Sequence, residues 1–396
     1  MWEEIEAQLS DLPPGLDPFE LTSKLRLRCP APLARAVAEL YTLRARAAGR
    51  FEMGYLPYLH AKGLEQASGQ LAAESRARRV ASLCPDGLVW DATCGLGSDA
   101  VACQRAGLEV AASDRDPLTA GHARANLGRH GPARVVIAAA AEARDVVRAR
   151  NVLLDPDRRP GGERTLDPRR WSPDLDSCLA MARRHSGGSI KLAPAHSPGE
   201  AELHAPGLEW EWVSADGELV ELRAWTGQLA RDGEPGLRSV LLLRRGAPEI
   251  EWRALPGRCE PMRSDELESL RVLAEPDPAV LRAGLLESLA APMGLRPIAP
   301  RCAYLGSCEE LEPTPKEDRR LRSWRVLGTC SLDRKRVRKL LGEHDVGPLT
   351  VKKRGHPDTA EALARRFSGP GARPGLLAVA RLERGHVAIL LEPRGH

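Results

Sequence analysis

No apolar run in the 396-residue chain approaches the roughly 18 to 20 residues that cross a bilayer; the longest, Val135 to Ala141, has the length of one buried strand and its exit. No Cys-x-x-Cys pair occurs either. The nine cysteines, an odd number spread from Cys29 to Cys330, argue against a disulfide framework and a zinc ribbon alike. They read as small apolar residues in a reducing compartment, and no metal is expected. The N-terminus, Met1-Trp-Glu-Glu-Ile-Glu, lacks the apolar stretch of a secretory signal, so the expected location is the cytoplasm, with no membrane partner. There is no internal repeat and no long low-complexity tract. What is present is globular: 42% hydrophobic and 28% charged residues exclude wholesale disorder and fibres, and the length suits two or three domains.

Charge is balanced in total and uneven in place. The net charge is +4, yet from Pro315 to the end there are 19 Lys or Arg against nine Asp or Glu, which leaves the rest of the chain acidic. Two basic runs, Arg334 to Lys339 and Lys352-Lys353-Arg354, flank a predicted turn, as a surface that tracks phosphates requires. Lys335, Arg336, Lys352, Lys353 and Arg354 are therefore candidate nucleic-acid contacts. The competing reading is a solvated helix face, with fifty arginines to eight lysines reflecting codon usage.

From Leu33 to Leu83 the apolar spacing is helical, with Leu64 to Leu83 as one longer amphipathic helix, giving an N-terminal helical cap over residues 1–84. From Gly87 short apolar runs alternate with helical stretches: Leu88 to Trp90, Leu108 to Ala112, Val135 to Ala138, Val152 to Leu154 and Ser189 to Leu192. That alternation predicts a parallel sheet covered on both faces. Leu208 to Val213 and Leu219 to Trp225, separated by Ala215-Asp216-Gly217, read as a hairpin adding antiparallel strands at the sheet's edge, followed by Arg238 to Arg244. The catalytic domain is placed at 85–256. Beyond it a helix is expected from Ala279 to about Ala290, opened by proline. A final α+β segment carries strands at Trp324 to Cys330, Ala378 to Leu382 and Val387 to Leu391, and helices at Asp333 to Leu341 and Thr359 to Phe367.

The first strand runs into Asp91-Ala-Thr93-Cys94-Gly95-Leu-Gly97-Ser-Asp99, where glycines 95 and 97 let the backbone approach a ligand closely. Asp91, before the loop, suits a ligand with an ammonium group and would repel a pyrophosphate. The second strand ends in Asp114-Arg115, and an acid there can accept both hydroxyls of an adenosine ribose. Glu142 follows the third strand where an adenine amino group would lie; its competing role is that of an ordinary first-turn helix acid. Nicotinamide dehydrogenases come near this pattern through Gly95-Leu-Gly97-Ser-Asp-Ala100, but Asp91 and the loop after the fourth strand speak against them.

That loop is Asp155-Pro156-Asp157-Arg158-Arg159-Pro160-Gly161-Gly162, at the carboxyl end of a strand beside the switch point, where substrate meets cofactor. It resembles the Asp/Asn-Pro-Pro-Tyr loop of base-amine methyltransferases, in which the first residue accepts from the target amino group. Asp157 replaces the second proline and no aromatic follows, so stacking on a flipped base would fall to another residue, with Trp171 a candidate. Asp155, Pro156, Arg158 and Arg159 are the catalytic candidates. The arginines could hold a phosphate bidentately or pair with neighbouring carboxylates. Uracil-C5 methyltransferases place a cysteine just after strand five; here the chain reads Lys191-Leu192-Ala193-Pro194, so direct transfer to nitrogen or oxygen is expected. Lys191 is either a substrate contact or a salt-bridge partner of Asp155.

Taken together, these motifs resemble the class I S-adenosylmethionine-dependent methyltransferases, and more narrowly a bacterial family of them bearing a C-terminal THUMP-like domain. Further matching stretches are Leu64 to Ser68, Ile190 to Pro194, Glu275-Pro-Asp-Pro to Gly284 with Ala303-Tyr304-Leu305, and Leu349 to Arg354. The glycine loop also resembles that of trimethylguanosine synthase. The resemblance implies a Rossmann-like α/β fold with a mostly parallel seven-stranded sheet, a ferredoxin-like segment at 270–322 and a THUMP-like α+β module at 323–396. It implies S-adenosylmethionine as cofactor, with Asp91, Thr93, Cys94, Gly95, Gly97, Asp99, Asp114, Arg115 and Glu142 as its site, and RNA as partner and substrate. A small-molecule or protein acceptor, or a silent RNA-binding protein that keeps the fold, are the alternatives.

Overall fold

The computed structural model describes residues 2–13, 15–132, 135–138, 148–159, 165, 167–311, 315 and 317–392. Two compact units divide the chain: Met1–Glu209 with Glu221–Asp232, and Trp210–Val220 with Gly233–His396.

In the first unit, five helices precede the sheet: α1 (Trp2–Ser10), α2 (Pro18–Arg26), α3 (Ala31–Ala47), α4 (Ala61–Gln66) and α5 (Gln70–Leu83). Asp17 starts α2 by accepting the amide N–H groups of Phe19 and Glu20, and proline at its first turn costs no bond. The buried residues of α3, Ala34, Val37, Leu40, Leu43 and Ala47, recur at threes and fours and make one stripe facing the core. The single helix expected from Leu64 to Leu83 is two. Ala67 and Gly69 adopt extended conformations between α4 and α5, and the Ser68 carbonyl accepts the Ser98 hydroxyl at 2.8 Å. A tertiary bond has overridden a helical period.

The sheet follows as β1 (Leu88–Asp91), α6 (Ser98–Arg105), β2 (Glu109–Asp114), α7 (Pro117–Gly128), β3 (Val135–Ala138), β4 (Asn151–Leu154), α8 (Leu175–Ala182), β5 (Gly187–Leu192), α9 (Glu200–Leu203), β6 (Leu208–Ala215) and β7 (Glu218–Gly227). Within this unit the order is β3-β2-β1-β4-β5-β7. All neighbours run parallel except β7, which is antiparallel to β5. β4 and β5 are buried along their whole length, as parallel strands covered on both faces must be. The order reverses between β1 and β4, so the crevice at their carboxyl ends is the binding position of this Rossmann-like fold. Asp216 and Gly217 link β6 to β7 with φ of 51° and 85°, the left-handed pair that a two-residue type I′ turn requires.

In the second unit, β6 pairs in parallel with β8 (Arg238–Leu243), and β8 pairs antiparallel with β9 (Ile250–Ala254). A seven-stranded sheet follows, made of β10 (Val272–Pro276), β11 (Arg296–Pro297), β12 (Leu305–Ser307), β13 (Leu321–Ser331), β14 (Val346–Arg354), β15 (Arg373–Arg381) and β16 (His386–Leu391), in the order β11-β12-β10-β13-β16-β15-β14. The helices of this unit are α10 (Pro278–Arg282), α11 (Leu286–Ala290), α12 (Arg334–Glu343) and α13 (Ala360–Phe367). The expected helix over Ala279 to Ala290 is thus two short ones. Gly284 turns to φ 66°, and a Cβ there would stand 2.5 Å from an Arg238 guanidinium nitrogen. The final strands and both final helices fall where the sequence places them. β14, parallel to β15 and at the sheet's edge, was not anticipated: Gly347, Pro348 and the Lys352-Lys353-Arg354 run hide its pattern. Among the described residues no helix is long and apolar enough to cross a membrane.

Candidate functional site

At the end of β1 the chain turns through Gly95 and Gly97, with φ of 54° and 85°, into α6. A Cβ on Gly95 would meet nothing within 4 Å, so the turn faces open space at that residue, whereas at Gly97 a Cβ would touch Ala123 at 3.5 Å. Asp114, at the end of β2, fixes this turn. Its carboxylate accepts the Gly95 N–H at 3.1 Å and the Asp116 N–H at 2.9 Å. An ionised carboxylate has about four acceptor positions, so two remain for the hydroxyls of a sugar.

Asp91 is 3% exposed, and although its backbone is paired in the sheet, its carboxylate has no hydrogen-bond partner among the described residues. Burial, together with the negative charge of Asp99, pushes its carboxyl well above the usual range, although Arg76 pulls the other way. A buried acid left without a partner is costly unless a ligand satisfies it. The α-ammonium of an amino-acid moiety would do so, and this is the observation by which the turn fits S-adenosylmethionine. A pyrophosphate would be repelled.

The loop after β4 lies directly against the glycine turn. The Ala92 N–H donates to the Leu153 carbonyl at 3.0 Å, and the Asp155 N–H donates to the Thr93 hydroxyl at 2.5 Å. Thr93 thus braces the loop after β4. Asp155 is paired with Lys191, whose ammonium also donates to the Ser68 hydroxyl at 3.0 Å and the Gln66 carbonyl at 3.4 Å. Burial raises the Asp155 carboxyl, and Lys191 partly offsets that. Lys191 is therefore a salt-bridge partner in this conformation. Pro156 is buried behind the loop. Asp157 accepts from Gln66 at 3.2 Å and Arg115 at 3.4 Å, while Arg115 also donates to the Ser172 hydroxyl at 2.7 Å. Arg159 pairs with Glu65 at 3.4 Å, which fits the carboxylate-pairing alternative for the arginines. Arg158 is half-buried, and its carbonyl accepts the Thr165 N–H at 2.9 Å.

Three expectations need correction. Trp171 is not a stacking platform here: it is 4% exposed, its indole N–H donates to the Thr165 carbonyl at 3.1 Å, and its ring meets His196 edge-on at 5.5 Å. Asp99 is engaged within the protein: its oxygens accept from the Ser68 hydroxyl at 2.7 Å and Arg76 at 3.0 Å. Cys94 is a buried packing residue whose thiol burial pushes up. Glu142, Pro160, Gly161 and Gly162 lie outside the described residues.

The sequence reading missed a buried network behind the site. Arg76 bridges Asp99 and Glu221 at 3.0 and 3.1 Å. Arg223 holds Glu221 at 2.6 Å and reaches the Ala72 carbonyl and the Ser75 hydroxyl. Burial alone would raise the Glu221 carboxyl, but Arg223 and Arg76 hold it down at about 2. Ser68 joins this network to Lys191 and so to Asp155. The one available signal was an arginine, Arg76, on the apolar face of the predicted helix.

In the second unit, Lys335 and Arg336 are exposed at the start of α12, where their amide N–H groups are capped by Asp333. The other candidates are engaged within the unit. Lys352 and Arg354 both pair with Glu275, at 2.5 and 2.8 Å, over the rings of Trp324 and Tyr304. Lys353 donates to the His356 carbonyl at 2.8 Å. Strand alternation puts 352 and 354 on one face and 353 on the other.

Comparison with known proteins agrees with this anatomy. Residues 321–393 match the family model described as THUMP domain-like. An uncharacterized S-adenosylmethionine-dependent methyltransferase of Mycobacterium tuberculosis is 29% identical over 360 residues, covering 89% of this chain and 94% of that protein, equally in strains H37Rv and CDC 1551. A solved methyltransferase-class protein from Porphyromonas gingivalis W83 superposes with a TM-score of 0.74 at 18% identity, covering 100% of this chain and 99% of that one. The fold is that of a class I methyltransferase carrying a C-terminal THUMP-like domain.

Proposed function

We propose that the protein is an S-adenosylmethionine-dependent methyltransferase that methylates a nucleotide of RNA by direct transfer to a nitrogen or an oxygen. The observation that carries this reading is the unpartnered buried Asp91 beside an open glycine turn, with the Asp155 loop braced against that turn. S-adenosylmethionine, when bound, supplies an electrophilic sulfonium methyl group. Asp91 would hold its ammonium and Asp114 its ribose hydroxyls. Asp155 would accept a hydrogen bond from the acceptor N–H or O–H, orienting its lone pair and taking up the proton, with Lys191 fixing the carboxylate. The basic α12 face and the THUMP-like match support RNA as the acceptor; the domain limits 85–256 and 323–396 are part of the same reading.

The deciding experiment incubates the protein and labelled S-adenosylmethionine with RNA from a strain lacking its gene, followed by nucleoside mass spectrometry. A single labelled nucleoside is expected. Label that enters nuclease-treated extract and not RNA would overturn the RNA reading in favour of a protein or small-molecule acceptor.

A further inference from the structure

The groove between α2 and α3 holds charge that the site does not use. A cavity of about 370 Å³ is lined by Arg26 from α2 and by Arg35, Glu39 and Arg46 from α3, with Ala38 and Ala61 among the small residues that leave it open. Positions 35, 39 and 46 share one face of α3 at helical spacing, opposite the stripe buried in the core. The three guanidiniums are exposed, and none has an acid within salt-bridge distance among the described residues. This sets them apart from Arg44 on the same helix, which pairs with Glu6.

The groove's position gives it a role. Ala61, the first residue of α4, lines it. At the other end of α4, Glu65 contacts Arg159 and Gln66 contacts Asp157, both in the loop that carries Asp155. The helix has six residues, so about 9 Å of rise separates the arginines' groove from the acceptor loop. That is the scale of a few nucleotides. The net positive, ligand-sized and unpaired groove suits a polyanion, and a guanidinium binds phosphate oxygens in a fixed fork geometry.

We infer that Arg26, Arg35 and Arg46 form a docking site for the phosphate backbone of the RNA strand flanking the target nucleotide, an inference that rests on the RNA reading above. The probe is a short fluorescein-labelled single-stranded RNA, bound to the full chain and to the triple variant Arg26→Ala, Arg35→Ala, Arg46→Ala at several salt concentrations. Loss of three phosphate contacts is expected to weaken binding and to make the slope of log affinity against log salt shallower by about two. Glu39→Gln is expected to tighten binding, which a merely structural groove would not do. Thermal unfolding and S-adenosylhomocysteine calorimetry should be unchanged in both variants.

Wild-type protein that neither binds nor methylates RNA would sink the RNA reading itself. Wild-type protein that binds RNA, with variants of equal affinity and slope, overturns the groove alone. A triple variant that loses polyglutamate binding as strongly as RNA binding also overturns it, since the groove would then be a surface for any polyanion.

Discussion

The buried basic residues behind the first unit's site and the exposed ones at the start of α12 in the second do opposite work. Arg76 and Arg223 are at most 1% exposed, Arg76 locked between Asp99 and Glu221 and Arg223 held by Glu221, the Ala72 carbonyl and the Ser75 hydroxyl; Arg336 and Lys335 stand in water with only their backbone engaged among the described residues. A count of basic residues cannot tell these apart. Burying a charge is tolerable only with a partner and filled hydrogen-bonding positions, so an interior arginine fixes geometry. An exposed one costs nothing to leave unpaired and remains available to a phosphate. Glu275 shows the intermediate case: by pairing Lys352 and Arg354 it takes two of the five suspected RNA contacts out of the free set.

The largest effect is expected where the buried network meets the chemistry. Asp155→Asn keeps a polar partner for Lys191 but loses the acceptor of the substrate's proton, and should lower kcat about a hundredfold to ten-thousandfold while S-adenosylhomocysteine still binds by calorimetry. Unchanged turnover would remove Asp155 from the reaction.

Next comes stability. Arg76→Ala leaves Asp99 and Glu221 buried with a partner missing and should cost about 3–5 kcal/mol in denaturant unfolding. Glu221 adds a pH signature. Its carboxyl is held at about 2 against an ordinary 4.5, so the folded state binds its proton less readily than the unfolded chain. Its contribution is present in full above about pH 4.5 and is lost as the pH falls towards about 2. Glu221→Gln should flatten that part of the acid limb, and its effect should not add to that of Arg76→Ala. A limb of unchanged shape would mean that the pair does not couple to folding.

The smallest stability effect belongs to the exposed pair. Lys335→Ala with Arg336→Ala should move unfolding by no more than about 0.5 kcal/mol, yet make the salt dependence of RNA binding shallower by about 0.7 for each lost contact to a single strand. An unaltered salt dependence would leave α12 as a solvated face.

Much of this was legible in the chain. Short apolar runs gave the parallel strands because such strands are buried on both faces, and Asp216-Gly217 gave its turn because few residue pairs accept two positive φ angles. Asp91, Gly95, Gly97, Asp114 and Asp155 could be singled out as candidates because each sits at the end of a strand or in the loop that follows it, where spacing predicts position. What escaped depends on contacts between distant segments. The break at Ala67 to Gly69 exists because Ser68 reaches Ser98 and Asp99. Trp171 reads as a surface aromatic until Thr165 and His196 are seen around it. Strand β14 carries its apolar positions among a glycine, a proline and three cations, and alternation is lost.

The bond from the Asp155 amide to the Thr93 hydroxyl has a further consequence. It anchors the first residue of the loop after β4 to the glycine turn; in the proposed reaction the spacing between giver and receiver would then be set before any substrate arrives. Selectivity can then be rewritten from Asp157 onward, or in the helices that touch it, without resetting that spacing. On the proposed reading, a change at Thr93 would instead be felt by every acceptor.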